Sequence, residues 1–420
     1  VSVDTPRSTG LTEGFDCDAF RAAFPSLDSG IAHFDGPGGT QTPRVVGEAM
    51  ARTLTGPLSN RFEGALSEQN ADDAVAAFRV AFADLLDVDP RGVVYGRSAT
   101  QLTYDLSRAI AKTWRPGDEV VVTRLDHDAN VSPWLQAAAA VGAEVRWLDF
   151  DPETSELVDP HGVVTDRTRL VALTAASNLL GTRPPVRQIA DVAHAVGALV
   201  YVDGVHYTAH HLPDLDAFGA DLFVCSPYKF FGPHCAVLGA DPELLESLRP
   251  DKLVPATDVV PERFELGTLP YEVMAGATAG VDFIATAVPG EGSRRERLAR
   301  SYDAFDEHEQ RLRQTAEKGL VDLGATVYSR ARSRTPTLLA TFPGRRSVDA
   351  YRFLLTRKVL APAGFFYAHQ PQLRLALDDT DALRVGLAPY STDDEVARLL
   401  DGLAEFLVGA GRPNHARRTD

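Results

Sequence analysis

The chain has 420 residues with a formal net charge of −16, a pI near 5.1, 44% hydrophobic and 24% charged residues. That length predicts two domains, and the acidity, offset by no Lys/Arg-rich stripe, excludes nucleic acid as a partner. The opening VSVDTPRSTGLTEG lacks an apolar h-region and no run approaches a membrane span, while Cys17, Cys225 and Cys235 make neither a disulfide framework nor a metal motif. A cytoplasmic protein with reduced thiols, no bound metal and no membrane contact is expected.

After a polar start of about a dozen residues, Phe15, Phe20 and Phe24 fall near helical spacing, and the Gly/Pro-rich loop Asp35 to Pro43 (DGPGGTQTP) follows. A helix resumes at Pro43, and another is read between Asp72 and Leu86. Strands and helices then alternate to about Ala240: VVYG, a helix from Ala99 to Thr113, EVVVT, a helix from Ser132 to Val141, EVRWLDF, LVALTAAS, VRQIADVAHAVG, ALVYVDG and DLFVCSPYK. Strands of β-branched residues separated by single helices predict an α/β domain with a mostly parallel sheet covered on both faces. The segment from about Val273 to Leu323 reads as helical, and the strand–helix mixture beyond it reads as a smaller α+β domain. The boundaries expected are residues 1–30 for an N-terminal segment packing with the small domain, 31–280 for the large domain, 281–410 for the small one and 411–420 for a mobile tail.

In such sheets functional groups gather where strands end. Here those ends read GRSAT, RLDHDAN, ASNLLGT, DGVH and SPYK. A pyridoxal-5′-phosphate (PLP) enzyme needs a lysine to form an imine, an acid facing the pyridine nitrogen, an anion cradle for phosphate and a surface against the ring. Most lysines are solvated surface charges, but Lys229 follows an apolar strand and sits between Tyr228 and a Gly-Pro turn; a buried lysine becomes nucleophilic. Asp203 closes an apolar strand, where a carboxylate alone suits a turn but a buried one needs a cation such as a pyridinium. His127 can cover one ring face, although a lone histidine is more often structural. Ser98, Ala99 and Thr100 at a helix start, joined by Ser226, can cradle phosphate, although GRSAT alone is also an ordinary helix cap.

The ordered motifs YVDGVHYTAHHLPDLDAFGADLFVCSPYKFFGPH, RLDHDANVSPW, ASNLLGT and RFELGT resemble the class V aminotransferases, which are fold type I PLP-dependent transferases, and within them the cysteine desulfurase-like proteins. The resemblance spans Phe24 to Leu407. It implies that Lys229 carries PLP, that Asp203 pairs with the pyridinium and that His127 stacks on the ring. It further implies that His206 and Asn178 lie near the phenolic oxygen, that Thr100, Ser226 and Tyr228 contact phosphate, and that Gly267 and Thr268 reach the phosphate of a second subunit in a homodimer. Arg384 matches the arginine that forks onto the α-carboxylate of a small amino-acid substrate, with Asn178, Gly39 and Tyr367 beside it; a surface ion pair is its plainer alternative. The sequence departs from the desulfurases in the loop LAPAGFFYAHQ, where Tyr367 stands at the place of their nucleophilic cysteine. A phenol cannot accept sulfur to form a persulfide. These residues lead to α,β-elimination of a Cβ–S bond, with transamination, decarboxylative deamination or epimerisation as rivals and a non-catalytic PLP-binding protein as the reading from another class.

Overall fold

A computed structural model describes residues 15–62, 64–377 and 379–409; the expected tail at 411–420 and most of the polar start lie outside them. Strand β1 (Ala32–His33) comes first, and a seven-stranded sheet is then built from β2 (Val93–Gly96), β3 (Glu119–Thr123), β4 (Glu144–Leu148), β5 (Thr168–Thr174), β6 (Leu199–Asp203), β7 (Leu222–Cys225) and β8 (Ala236–Ala240). Its spatial order is β2-β8-β7-β6-β5-β3-β4. The pairs linking β7, β6, β5, β3 and β4 are parallel, whereas β8 runs antiparallel to both β7 and β2. The fold is thus the expected α/β class with a mostly parallel sheet.

Successive side chains on a strand point to opposite faces, and here both faces are buried. Val121, Leu173, Val200, Val202 and Phe223 enter one core with Phe78, Phe82 and Ile189. Their neighbours Val120, Val122, Leu170, Tyr201 and Val224 enter the other with Leu106, Ile110 and Trp134. The near-continuous apolar runs follow from this two-sided burial.

A second unit contains the three-stranded antiparallel sheet of β9 (Thr326–Val327), β10 (Thr337–Thr341) and β12 (Leu383–Gly386), while β11 (Val359–Leu360) pairs in parallel with β1. Leu338, Leu383, Val385, Leu312 and Leu399 share its core. The N-terminal segment touches both units. Phe20 and Phe24 pack against Phe231 and Phe283 in the core of the large sheet, while Arg21 pairs with Glu395 at 3.0 Å.

Two helices differ from expectation. The helix expected from Asp72 begins at Leu66, where the Glu68 carboxylate accepts the Ala65 N–H at 2.9 Å and caps the open end. The segment read as one helix from Val273 to Leu323 is two, Tyr271–Ala285 and Arg294–Asp322. Pro289 cannot continue a helical ladder, and Gly290 and Gly292 take positive φ between them. Residue 280, the expected domain boundary, falls inside the first of these helices.

Candidate active site

The carboxyl ends of β3, β5, β6 and β7 open onto a cavity of about 690 Å³, and β12 closes it from the other unit. Its walls include Ser98, Ala99, Thr100, His127, Asn178, Asp203, His206, Ser226, Tyr228, Lys229, Tyr367 and Arg384. Residues scattered over nearly 290 positions therefore meet because each follows, or lies on, a strand reaching this edge.

The chain has five lysines, and Lys229 is the buried one, only 9% exposed. It stands in the short turn Pro227–Lys229 after β7, and its ammonium donates to the Pro37 carbonyl. Burial, reinforced by the Arg384 charge, lowers its pKa to about 7, against the partial opposition of Asp203 and Asp35. An amine with that pKa is available as a nucleophile and base near neutrality.

Asp203 is the last residue of β6; its Oδ1 accepts the Val205 N–H at 2.9 Å. Burial raises its pKa to about 6, opposed by that hydrogen bond and by Lys229. Gly204 must follow it: a Cβ there would lie 1.8 Å from the Phe223 ring.

Next to this pair, His127 Nδ1 accepts the Ala129 N–H at 3.0 Å, which places the ring proton on Nε2. Burial holds the imidazole neutral, with a pKa of about 4. Directly behind it Asp126 is buried, accepting from Thr123 and, at 2.7 Å, from Asn130, whose Oδ1 takes the Trp134 N–H. Burial lifts the Asp126 pKa to about 8.

Across the cavity, Ser98 caps the helix Ala99–Ala111 by accepting the Gln101 N–H at 3.1 Å. The free N–H groups of that helix start and the hydroxyls of Thr100 and Ser226 make an electropositive corner suited to phosphate. Tyr228 stacks on His234, ring centres 4.9 Å apart, with the Lys229 ammonium 5.0 Å from its ring.

Arg384 is fully enclosed. Its Nη1 donates to the Asn178 carbonyl at 3.0 Å, its Nε has no partner, and among the described residues no carboxylate forms a salt bridge with it. The surface ion pair is thereby set aside. Burial lowers its pKa to about 9, so at neutral pH it is a buried cation. Asn178 Nδ2 donates to the Phe366 carbonyl at 3.0 Å while its Oδ1 is unpartnered, as is His206 Nδ1. These open polar atoms, with the lysine, the carboxylate and the helix start, fit PLP and a substrate carboxylate.

Some expected residues fall elsewhere. Gly39 is not part of the wall; the preceding Pro37 and Gly38 are, because the loop turns so that Gly39 backs onto Tyr228, 3.3 Å from where its Cβ would stand. Gly267 and Thr268 are exposed and also outside the cavity. Tyr104 and Phe366 line the cavity without having been singled out in the sequence. Tyr104 follows Thr100 by four residues on one helix, so their shared face was a readable signal. Phe366 had only its place beside Tyr367.

None of the cysteines reaches the cavity. Cys225 ends β7 and Cys235 directly precedes β8; both are buried, and burial raises both thiols well above their ordinary pKa. Cys17 lies 3.6 Å from the Pro389 and Ser391 carbonyls, its pKa raised by burial to about 11.

The class-V aminotransferase family matches residues 32–399. An uncharacterized protein of Mycobacterium tuberculosis is 32% identical over 402 residues, covering 93% of this chain and 99% of its own. An aminotransferase-like protein of Gibberella zeae is 30% identical, covering 94% and 100%. The cysteine desulfurase CsdA of Escherichia coli superimposes with a TM-score of 0.82 at 25% identity, covering 94% and 99%. A C-DES variant with glycine covalently linked to its PLP cofactor superimposes with a TM-score of 0.74 at 20% identity, covering 92% and 99%. The chain belongs to the class-V aminotransferase family and is a cysteine desulfurase-like, PLP-dependent enzyme.

Proposed function

We propose that this enzyme cleaves the Cβ–S bond of cysteine or an S-substituted cysteine by α,β-elimination, without an enzyme persulfide. The observation that carries the reading is a cavity with a low-pKa lysine and an unpaired buried arginine but no thiol. The thiol leaves with its sulfur, and hydrolysis turns the remaining three-carbon unit into pyruvate and ammonia, so substrate plus water balances thiol, pyruvate and ammonia.

Bound PLP supplies an electron-accepting ring that loosens the bonds at the α-carbon of an amino acid joined to it. Lys229 is the point of attachment and, once displaced by the substrate amine, the base that takes the α-proton; its lowered pKa provides neutral amine near pH 7. Asp203 is the anionic partner of the ring nitrogen, and His127 covers one face. Ala99, Thr100, Ser98, Ser226 and Tyr228 hold the phosphate. Arg384 takes the α-carboxylate in a two-pronged hydrogen bond, beside Asn178. Tyr367, 67% exposed with its ring 5.7 Å from that of His127, borders the space for the sulfur substituent.

The working unit is a homodimer in this reading. Leu253, Val254, Val259 and Leu266 are large exposed apolar residues in the stretch that leads to Gly267 and Thr268, an arrangement that suits burial against a second copy whose phosphate the loop approaches. Three unpaired cysteines support a cytoplasmic location. Among the described residues, no helix is long and apolar enough to cross a membrane.

The test is product analysis of the PLP-loaded enzyme with cysteine and a panel of S-alkyl and S-aryl cysteines. Thiol and pyruvate in equal amounts support elimination; absence of both across the panel sinks it. Transamination is the second reading, supported by the aminotransferase-like description of the Gibberella zeae relative. A keto acid that still carries sulfur would mark it.

A further inference from the structure

We propose that Glu309 is a positioning residue of the cofactor cavity, acting through His210 to fix the protonation and orientation of His206. The inference rests on the cavity as the PLP site and is independent of which reaction runs there.

His206 lines the cavity. Its Nε2 lies 3.0 Å from Thr335 Oγ1 and 2.9 Å from Thr337 Oγ1. Hydroxyls rotate to donate or accept, so these threonines satisfy either tautomer and select neither. The other ring nitrogen, Nδ1, is buried without a partner. Something else must define this ring.

Behind it stands His210, the two ring centres 5.0 Å apart and their planes at 77°. His210 Nδ1 reaches both carboxylate oxygens of Glu309, at 3.1 and 3.0 Å. An ionised carboxylate only accepts, so Nδ1 of His210 carries the proton and the ring is locked in one orientation. Glu309 comes from the long helix Arg294–Asp322 and has 0% exposure. Among the described residues, His210 is the side chain that hydrogen-bonds it.

Stability alone does not explain a carboxylate there. The other buried positions of that helix include Leu298, Phe305, Leu312, Ala316 and Leu320, and an apolar side chain generally serves a packed site at least as well as a buried ion pair. What Glu309 adds is definition of His210, whose Nε2 has no partner and whose ring meets that of His206 edge to face without a hydrogen bond, so its effect on His206 runs through packing and charge. Burial keeps His206 well below its ordinary pKa, with His210 the next contributor. Burial raises the Glu309 carboxyl to about 6, with His210 opposing. The charged and titratable groups around the pair are His211 with Asp306, 4.0 Å apart, Arg183 against Tyr207, Tyr302, whose hydroxyl donates to the Thr208 carbonyl at 2.8 Å, and Tyr390.

The test uses Glu309→Gln, Glu309→Asp, His210→Asn and, as a control on the same helix, Tyr302→Phe. Histidine nitrogen NMR on the PLP-free full chain reads tautomers, and titration with PLP reads affinity. Glu309→Gln is expected to turn His206 from one tautomer into a mixture and to weaken PLP binding ~10-fold, the scale of one buried charge-assisted hydrogen bond. Glu309→Asp restores both to near wild type, and His210→Asn reproduces the Gln phenotype with no further loss in the double variant. Tyr302→Phe lowers the melting temperature but leaves His206 and PLP affinity unchanged. Wild-type His206 signals in Glu309→Gln, or in His210→Asn should the Gln variant not fold, would overturn the proposal, as would the same tautomer change in Tyr302→Phe. Failure of the wild type to bind PLP would sink the cavity assignment instead, while the histidine signals still decide the role of Glu309.

Discussion

The guanidinium carbon of Arg384 lies 3.8 Å from the centre of the Phe366 ring. An aromatic face attracts a cation and covers one side of it, leaving its in-plane N–H groups for an anion. Phe366 and its neighbour Tyr367 both hold φ near +53°, a left-handed backbone unusual outside glycine. The loop accepts that conformation while the Asn178 amide donates to the Phe366 carbonyl and the Asp128 N–H to the Tyr367 carbonyl, at 3.0 and 2.9 Å.

A flat, buried fork is not replaced by an ammonium. Arg384→Lys is expected to lower kcat/KM for amino acids ~100-fold, the scale of losing one partner of a buried charge pair. Steady-state kinetics on a substrate and its α-carboxamide check this: the amide should lose far less. Equal losses for both would remove Arg384 from carboxylate binding.

The PLP-free protein should show the cost of burying Lys229. Its pKa is about 7 in the folded chain against 10.5 ordinarily, so between those values the unfolded chain binds more protons and stability rises with pH. Lys229→Met removes this slope. Thermal melts should find the variant more stable than the parent at pH 5.5, with the gain shrinking toward pH 9.5. The opposite trend would contradict the burial of an amine. Asp203, raised from 3.8 to about 6, contributes with the other sign: its contribution is present below pH 3.8 and is lost as pH rises through about 6.

The sheet was legible because two-sided burial writes itself as apolar runs, and the place of Lys229, Asp203 and His127 on the cavity wall was legible because each closes such a run or follows it in the next turn. Arg384 was also readable, as a charge inside an apolar strand. Gly39 lies off the cavity wall because the sense of a Gly-Pro turn depends on what it packs against, here Tyr228. Phe366, and the pairing of Glu309 with His210, were hidden because they meet only through tertiary contact, across 99 residues in the second case. The break before Arg294 was carried by Pro289, Gly290 and Gly292 and was outweighed by the helix-forming residues on either side.

Tyr367 should act through its ring more than its hydroxyl, given its exposed rim position. Tyr367→Phe is expected to keep turnover within about twofold, while Tyr367→Ala raises KM ~10-fold for S-aryl cysteines, the scale of a lost apolar contact. KM and kcat for cysteine and an S-aryl cysteine check this. Loss of kcat in Tyr367→Phe would instead make the phenol an acid–base group.

The most direct measurement is borohydride reduction of the PLP-loaded protein, followed by peptide mass mapping across its five lysines. One phosphopyridoxyl group per chain is expected, on the peptide containing Lys229, and none in Lys229→Ala. A label on another lysine, or no label in the wild type, would contradict it.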